Sequence, residues 1–284
     1  MLDALIKEII EPHNKLIMVI GGPDTGKTSL VWNIAKSLTQ SYNTAIVDLD
    51  MGQSHIGPPT TIAWAKMEGK AEDWSQLKVM DFYFTGTISP VKSLLPTVIG
   101  AGLITEKASS AVEKVIIDTT GLISEPVGRI LKHFKIDLLM PDIVIAIESK
   151  SELSHITEPF IFCKKPKIIK MATSNNVKIK TKAYRIEYRF KKMNEYLKNA
   201  FLLEIPMEKV GIRFTRNIDP AYGITNRVAS LRDKFNKDIG LGLIKGLTKN
   251  KLKIFTPITD IINLSIVVIG RTVYDVKEKS LKDY

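Results

Sequence analysis

The sequence predicts an α/β fold built on a mostly parallel sheet, with a smaller β-rich module behind it. Three observations carry that reading. Short continuous apolar runs alternate with helix-length segments, the mark of βαβ units whose strands are buried on both faces. The first run breaks into a glycine-rich turn that opens a helix. Beyond residue 160 the alternation stops, giving way to a basic stretch and then to short β-like runs separated by Gly and Pro.

Taken in order, residues 1–14 read as a short amphipathic helix with Leu2, Leu5, Ile6, Ile9 and Ile10 on one side. Residues 16–20 are apolar throughout and form a buried strand. Gly21 to Gly26 turns the chain, and a helix runs from Lys27 to about Leu38. Further strands are expected at 44–49, 79–84, 115–117 and 143–147, with helices at 89–108 and 124–134. Residues 182–200 have helical spacing, and 251–255 and 264–269 read as strands. The expected division is a domain at 1–200, including a basic segment at about 161–200, and a β-rich module at 201–284. Ligands bind beyond the carboxyl ends of the strands in such a sheet. The glycine turn, Asp48, Asp50 and Asp118 all fall at those ends, so they are expected in one crevice.

A chain of 284 residues, 44% hydrophobic and 25% charged, buries an ample core and is neither disordered nor fibrous. No run approaches the 18 or so consecutive apolar residues of a membrane span. The N-terminus carries acids and lacks a signal-peptide apolar block. The single cysteine, Cys163, cannot form an internal disulfide, and four scattered histidines offer no metal-ligand spacing. The expected setting is the cytoplasm.

The charge is uneven. The formal net charge is +11, and twelve basic residues fall between Lys164 and Lys198 against two acids, Glu187 and Glu195. Such a stretch attracts polyanions; the plain alternative is a solvated, lysine-rich surface.

Residues 21–28, GGPDTGKT, fit G-x-x-x-x-G-K-[ST] in full, between a strand and a helix. The backbone N–H groups of Gly21, Gly22, Pro23, Asp24, Thr25 and Gly26 (Pro23 excepted) and the helix start at Lys27, Thr28 and Ser29 suit phosphate binding. Lys27 is expected to reach the β- and γ-phosphates of ATP and Thr28 to ligate Mg²⁺. Asp118 ends an apolar strand, where a carboxylate can hold the Mg²⁺ shell; its alternative role is capping the next turn. Asp48 and Asp50 close the second strand. One of them could accept a proton from an attacking hydroxyl, or both could serve as turn residues, and Gln53 could orient a phosphate or sugar.

In this order the motifs resemble the polynucleotide 5′-hydroxyl kinases related to the pre-mRNA 3′-end cleavage factor and the pre-rRNA processing kinases. The loop GGPDTGKTS carries Asp24 two residues before its second conserved glycine. DLDMGQSHIGPPTT (residues 48–61) is similar to the family's D-x-D-x-G-Q…P-P segment, and FTGTISP (84–90) to its aromatic-x-G-x-x-S-P stretch. LLMPDIVIAIE (138–148) and the GLGLIKGLTKNKLKIFTPI run near the C-terminus are similar too. The resemblance implies a P-loop NTPase fold with a helical lid, Asp50 as general base, and Gln53, Thr120 and Gly121 as substrate contacts. It implies that Arg185 and Arg189, the R-x-x-x-R of RIEYR, form the lid's catalytic pair. Spacing of four places both on one helix face, where guanidiniums can fork onto phosphate oxygens. The implied partner is nucleic acid with a 5′-OH end, RNA before DNA, with ATP and Mg²⁺ as cofactors.

The resemblance covers about residues 15–275, with two departures. The clasp of form T-x-G-W has Leu122 in place of its Trp, which weakens base capture unless Tyr83, Phe84 or Trp64 substitutes. The chain begins close to its first strand, so the eukaryotic members' N-terminal β domain is not expected. The rival reading is a GPN-like GTPase or ATPase. Against it, Gly57-Pro58-Pro59 replaces G-P-N, and Ser149-Lys150-Ser151-Glu152 is a poor N-K-x-D. A second rival is a scaffold that keeps ATP bound without turnover; an intact Lys27, Thr28 and Asp50 speaks against it.

Overall fold

The sheet starts where the first apolar run has no polar side chain to offer solvent. β1 (Leu16–Gly21) is buried along its whole length and lies inside a seven-stranded sheet. The computed structural model describes residues 2–174, 177–215 and 223–284; the Leu2 side chain lies outside the described set. The strand order is β4 (Val79–Phe84), β3 (Thr61–Met67), β2 (Thr44–Asp48), β5 (Lys114–Asp118), β1, β6 (Ile143–Glu148), β7 (Lys167–Ala172). The pairings from β2 through β7 are parallel, whereas β3 and β4 join antiparallel at one edge.

Helices cover both faces. α1 (Leu2–Ile10) and α2 (Lys27–Leu38) pack on one, around Ile9, Ile17, Val19, Ile34, Ile46 and Ile116. α3 (Leu94–Ala111) and α4 (Val127–Leu139) pack on the other, around Met18, Ile20, Val47, Ile104, Ile117 and Ile136. The chain then makes the short α5 (Ser154–Thr157), reaches β7, and crosses to α6 (Lys182–Tyr196).

The rest is a second, seven-stranded sheet: β8 (Phe201–Pro206), β9 (Gly211–Phe214), β10 (Arg227–Asp233), β11 (Asp238–Leu247), β12 (Lys251–Thr256), β13 (Leu264–Asp275) and β14 (Ser280–Asp283). It is antiparallel except where β9 runs parallel to β13. The two parts share a core. Met193 and Leu197, at the end of α6, and Phe84 pack with Val228, Leu241, Val268 and Leu281. A buried polar joint adds to this: Asp238 accepts the N–H of Phe84 at 3.0 Å and pairs with Arg232 at 2.8 Å.

Two strands of the first sheet were not read from the sequence, and in the second sheet only β12 and β13 were placed individually. β3 follows a Pro-rich turn and carries two alanines and a lysine in no clear polar–apolar alternation, and β7 reads as a basic segment. β7 is an edge strand whose lysines pair inward: Lys165 with Asp142, Lys167 with Glu8 at 2.7 Å, and Lys170 with Glu148 at 3.0 Å. That part of the basic stretch is a blunted sheet edge rather than open anion-binding surface. The helix expected at 89–108 is a 3₁₀ turn at Pro90–Lys92 followed by α3, because Ser93 breaks the register between them. The helix expected at 124–134 starts later and runs on to Leu139, since Lys135 and Ile136 still face the core. The lid helix ends at Tyr196 rather than Ala200.

Candidate functional site

The glycine turn joins β1 to α2. Gly26, at φ +90, occupies the helix N-cap in a left-handed conformation that a side chain would strain. The first turn of α2 aims its N–H groups and positive end into the turn. Lys27 is buried, and burial holds its ammonium below the usual lysine range against the raising fields of Asp118, Asp50 and Asp24. Its Nζ donates to the Gly22 carbonyl at 2.5 Å, so the lysine lies along the loop. Beside it, a cavity of about 930 Å³ is lined by Asp24 to Leu30, Asn33, Met171, Thr173, Val177, Lys178 and Lys180. Its size suits a nucleotide.

Asp118 and Asp48 are register neighbours on β5 and β2. Both are fully buried, and desolvation pushes each carboxyl up to about 6. Their environments differ. Asp48 accepts backbone N–H groups from Asp50, His55 and Ile56 at 2.6–3.1 Å, so it folds the loop that follows β2. Asp118 accepts the Thr28 hydroxyl at 2.6 Å through Oδ2, while its buried Oδ1 has no partner among the described residues. A hard oxygen pair with one orphaned carboxylate oxygen fits Mg²⁺, which keeps few protein ligands and takes the rest from phosphate and water. Consistent with that, no group of three or more His, Cys, Asp or Glu is placed to hold a metal among the described residues.

Asp50 sits half-buried above these two. Its Oδ1 accepts the N–H groups of Gly52 and Gln53, each at 3.0 Å. Among the described residues its Oδ2 has no hydrogen bond, and the Asp50 carboxylate lies close enough to Lys27 and Arg189 for its field to favour their charged forms. The Gln53 amide nitrogen donates to Gly52 O at 3.0 Å and to Arg185 O at 3.4 Å, while its buried Oε1 has no partner among the described residues. The clasp-like turn backs directly onto the phosphate loop; a Cβ on Gly121 would stand 2.8 Å from Pro23 N. The Thr120 hydroxyl is buried and unpartnered among the described residues.

α6 crosses over this crevice. Arg185 pairs with Asp24 of the loop at 2.5 Å, and the Lys180 N–H reaches the same carboxylate at 3.1 Å. Asp24 itself has φ +53, a strained conformation for a non-glycine residue that these two contacts secure. Tyr188 donates to Ser54 O at 3.0 Å and Lys192 to His55 O at 3.4 Å, pinning the lid along the loop after β2. Arg189 is partly buried, which lowers its guanidinium, and its Nε has no partner among the described residues. The structure thus brings the loop, Asp50, Asp118, Gln53, the 120–121 turn and both arginines to one place.

The aromatic substitutes expected for Leu122 are not available. Phe84 and Trp64 are core residues, and the Tyr83 ring lies under the Arg232 guanidinium at 5.2 Å. Two buried or half-buried charged residues that border the site escaped the sequence reading. Lys132, fully buried, donates to Thr119 Oγ1 at 2.9 Å and Thr120 O at 2.7 Å, and burial takes its amine well below the usual range. Asp283 reaches the site from β14. A lysine in a helix and an acid near a chain end carry no local signal. Glu152, in the place of a guanine-reading acid, caps its own turn through the N–H groups of Ser149 and Lys150.

Residues 21–199 match the family described as mRNA cleavage and polyadenylation factor CLP1 P-loop. A polyribonucleotide 5′-hydroxyl-kinase of Pyrococcus furiosus is 36% identical over 200 residues, 70% of this chain and 55% of that one. The aligned part therefore spans about half the length of that relative. A second enzyme of the same name, from Pyrococcus horikoshii, is 28% identical over an alignment covering 90% of this chain and 84% of its own. Among solved structures, Clp1p in its complex with Pcf11p superposes with a TM-score of 0.73 over 95% of this chain and 77% of that one, at 13% identity. At that identity the likeness concerns the fold.

Proposed function

From the chain's membership of the Clp1-type P-loop family, shown by residues 21–199, we propose that it transfers the γ-phosphate of ATP to the 5′-hydroxyl end of a polynucleotide. RNA is the favoured acceptor, in line with the polyribonucleotide kinases it is similar to. One observation carries the reading. Over a single phosphate loop stand a carboxylate with an oxygen to spare, Asp50, and an arginine already docked on the loop, Arg185.

Phosphoryl transfer asks the protein mainly for positioning and charge stabilisation. The loop N–H groups cradle the triphosphate. Lys27 leaves Gly22 O for the β- and γ-phosphate oxygens. Thr28 and Asp118 would hold Mg²⁺, which would supply charge neutralisation to the transfer. Asp50 Oδ2 takes the proton of the attacking hydroxyl. Arg185 and Arg189 fork onto the moving phosphoryl group, and Gln53, Thr120 and Gly121 hold the terminal nucleotide. With Leu122 at the clasp, a stacking contribution of about 1–3 kcal/mol is missing. The exposed lysines from 178 to 191 draw the strand in by its phosphates. A cytoplasmic setting belongs to the same reading. The structure holds no helix long and apolar enough to cross a membrane among the described residues.

Incubation with γ-labelled ATP, then GTP, with and without 5′-OH RNA and DNA oligomers tests the proposal. Label on the oligomer supports it. Release of free phosphate alone would favour the GTPase or ATPase reading, which the self-capped Glu152 disfavours. Bound, unhydrolysed nucleotide would favour the scaffold.

A further inference from the structure

Asp283 lies on β14, opposite Thr272 of β13. Its carboxylate accepts the Ile88 N–H at 3.2 Å on each oxygen and the Thr272 hydroxyl at 2.6 Å. Ile88 belongs to the FTGTISP loop after β4. The Ile88 carbonyl abuts Gly52 so closely that a Cβ there would stand 2.6 Å from it. Gly52 N–H in turn donates to Asp50 Oδ1 at 3.0 Å. Three direct contacts therefore lead from the far end of the chain to the carboxylate with the spare oxygen. The same sheet holds the loop a second time, through the N–H groups of Arg271 at 2.8 Å and Thr272 at 3.2 Å on Gly86 O. Overhead, α6 packs against β14, and Asp283 and Asp50 are the acids whose fields favour the charged form of Arg189.

We propose that Asp283 is a positioning residue of the transfer reaction: it clamps the 86–88 loop and, through Gly52, sets the Asp50 carboxylate, while giving Arg189 an acid to face on the acceptor side. This rests on the kinase reading above. It assigns the second sheet a task in the site, beyond closing a core. The clamp is one Ile88 N–H shared between both carboxylate oxygens, with the carboxylate itself fixed by the Thr272 hydroxyl, and a charged acceptor makes it stronger than a neutral one. Stiffness matters because an ångström of misplacement in a transfer site can cost about a hundredfold in rate.

The test compares Asp283→Ala and Asp283→Asn with wild type in kcat, in KM for ATP and RNA, and in amide hydrogen exchange at Ile88 and Gly52. Expected for Asp283→Ala is a fall in kcat of about tenfold or more, a KM for ATP unchanged, and faster exchange at both amides. Asp283→Asn, which still accepts the Ile88 N–H, should recover part of the rate. In an Asp50→Asn background, Asp283→Ala should add almost nothing, because residues acting as a unit are not additive. An unchanged kcat, an unchanged Ile88 exchange rate, or a full additional loss on top of Asp50→Asn would each overturn the proposal. Thr272→Val, which removes the hydroxyl that orients the carboxylate, replaces Asp283→Ala should that variant not fold. A wild-type protein that labels no oligomer overturns the kinase reading and the catalytic task with it; the exchange rates still report whether the clamp exists.

Discussion

The donor and acceptor halves of the crevice are built differently. The donor half is local: one strand, one turn and one helix over residues 16–38 supply the cradle, the lysine and the threonine, and Asp118 joins from the next strand at 2.6 Å. The acceptor half is assembled from the loop after β2, the loop after β4, the turn after β5, the lid helix and β14. Its members meet through single contacts, such as Gln53 on Arg185 O and Ile88 on Asp283. A phosphate chain is the same in every nucleotide, so a rigid backbone nest suffices for it. The end of a polymer must enter and leave, and that suits a site made of several pieces under a lid.

If this contrast is right, damage to the donor half should remove activity and damage to the acceptor half should grade it. Lys27→Ala should abolish label transfer, a loss of about a thousandfold or more; retained transfer would break the donor assignment. Asp50→Asn should lower kcat by about 10²–10⁴ with ATP affinity intact, which single-turnover assays and nucleotide titration separate. Arg185→Ala with Arg189→Ala should slow transfer even at saturating RNA; a variant that loses only RNA affinity would make the pair a docking surface.

Asp118 sharpens the comparison through stability. Its carboxyl stands at about 6 against an ordinary 3.8 because of burial. The native state therefore binds that proton more tightly than the unfolded chain does. The ionised form costs stability above pH 6, and the cost fades as pH falls towards 4. Asp118→Asn should melt higher than wild type in metal-free buffer at neutral pH, by about 1–3 kcal/mol. Thermal melts should show the gap closing in acid while the variant stays inactive. The smallest effect belongs to the sheet edge. Replacing Lys165, Lys167 and Lys170 by Gln should change RNA affinity less than twofold, since each is paired with an acid. Filter binding at low salt checks this.

The phosphate loop was legible because its parts are contiguous and its mechanism demands a strand before it and a helix after it. Asp48 and Asp50 were legible as a pair, with Asp50 singled out by the resemblance; the hydrogen bonds add that Asp48 folds the loop after β2. The basic stretch was legible as charge and its second half as a lid helix, whereas its first half, the edge strand β7, was not. Strand β3 escaped because its two alanines, Ala63 and Ala65, give no clear alternation to read.

What the order of residues determined by itself was the donor half, since its geometry follows from backbone conformation over neighbouring positions. The acceptor half could be named in part from its motifs (Asp50, Gln53, Thr120, Gly121, Arg185 and Arg189), but how its pieces meet was decided by tertiary structure. Whether a lysine such as Lys132 is buried, or an acid such as Asp283 meets Ile88 across 195 positions, depends on which surfaces pack together, and no neighbouring residue records that.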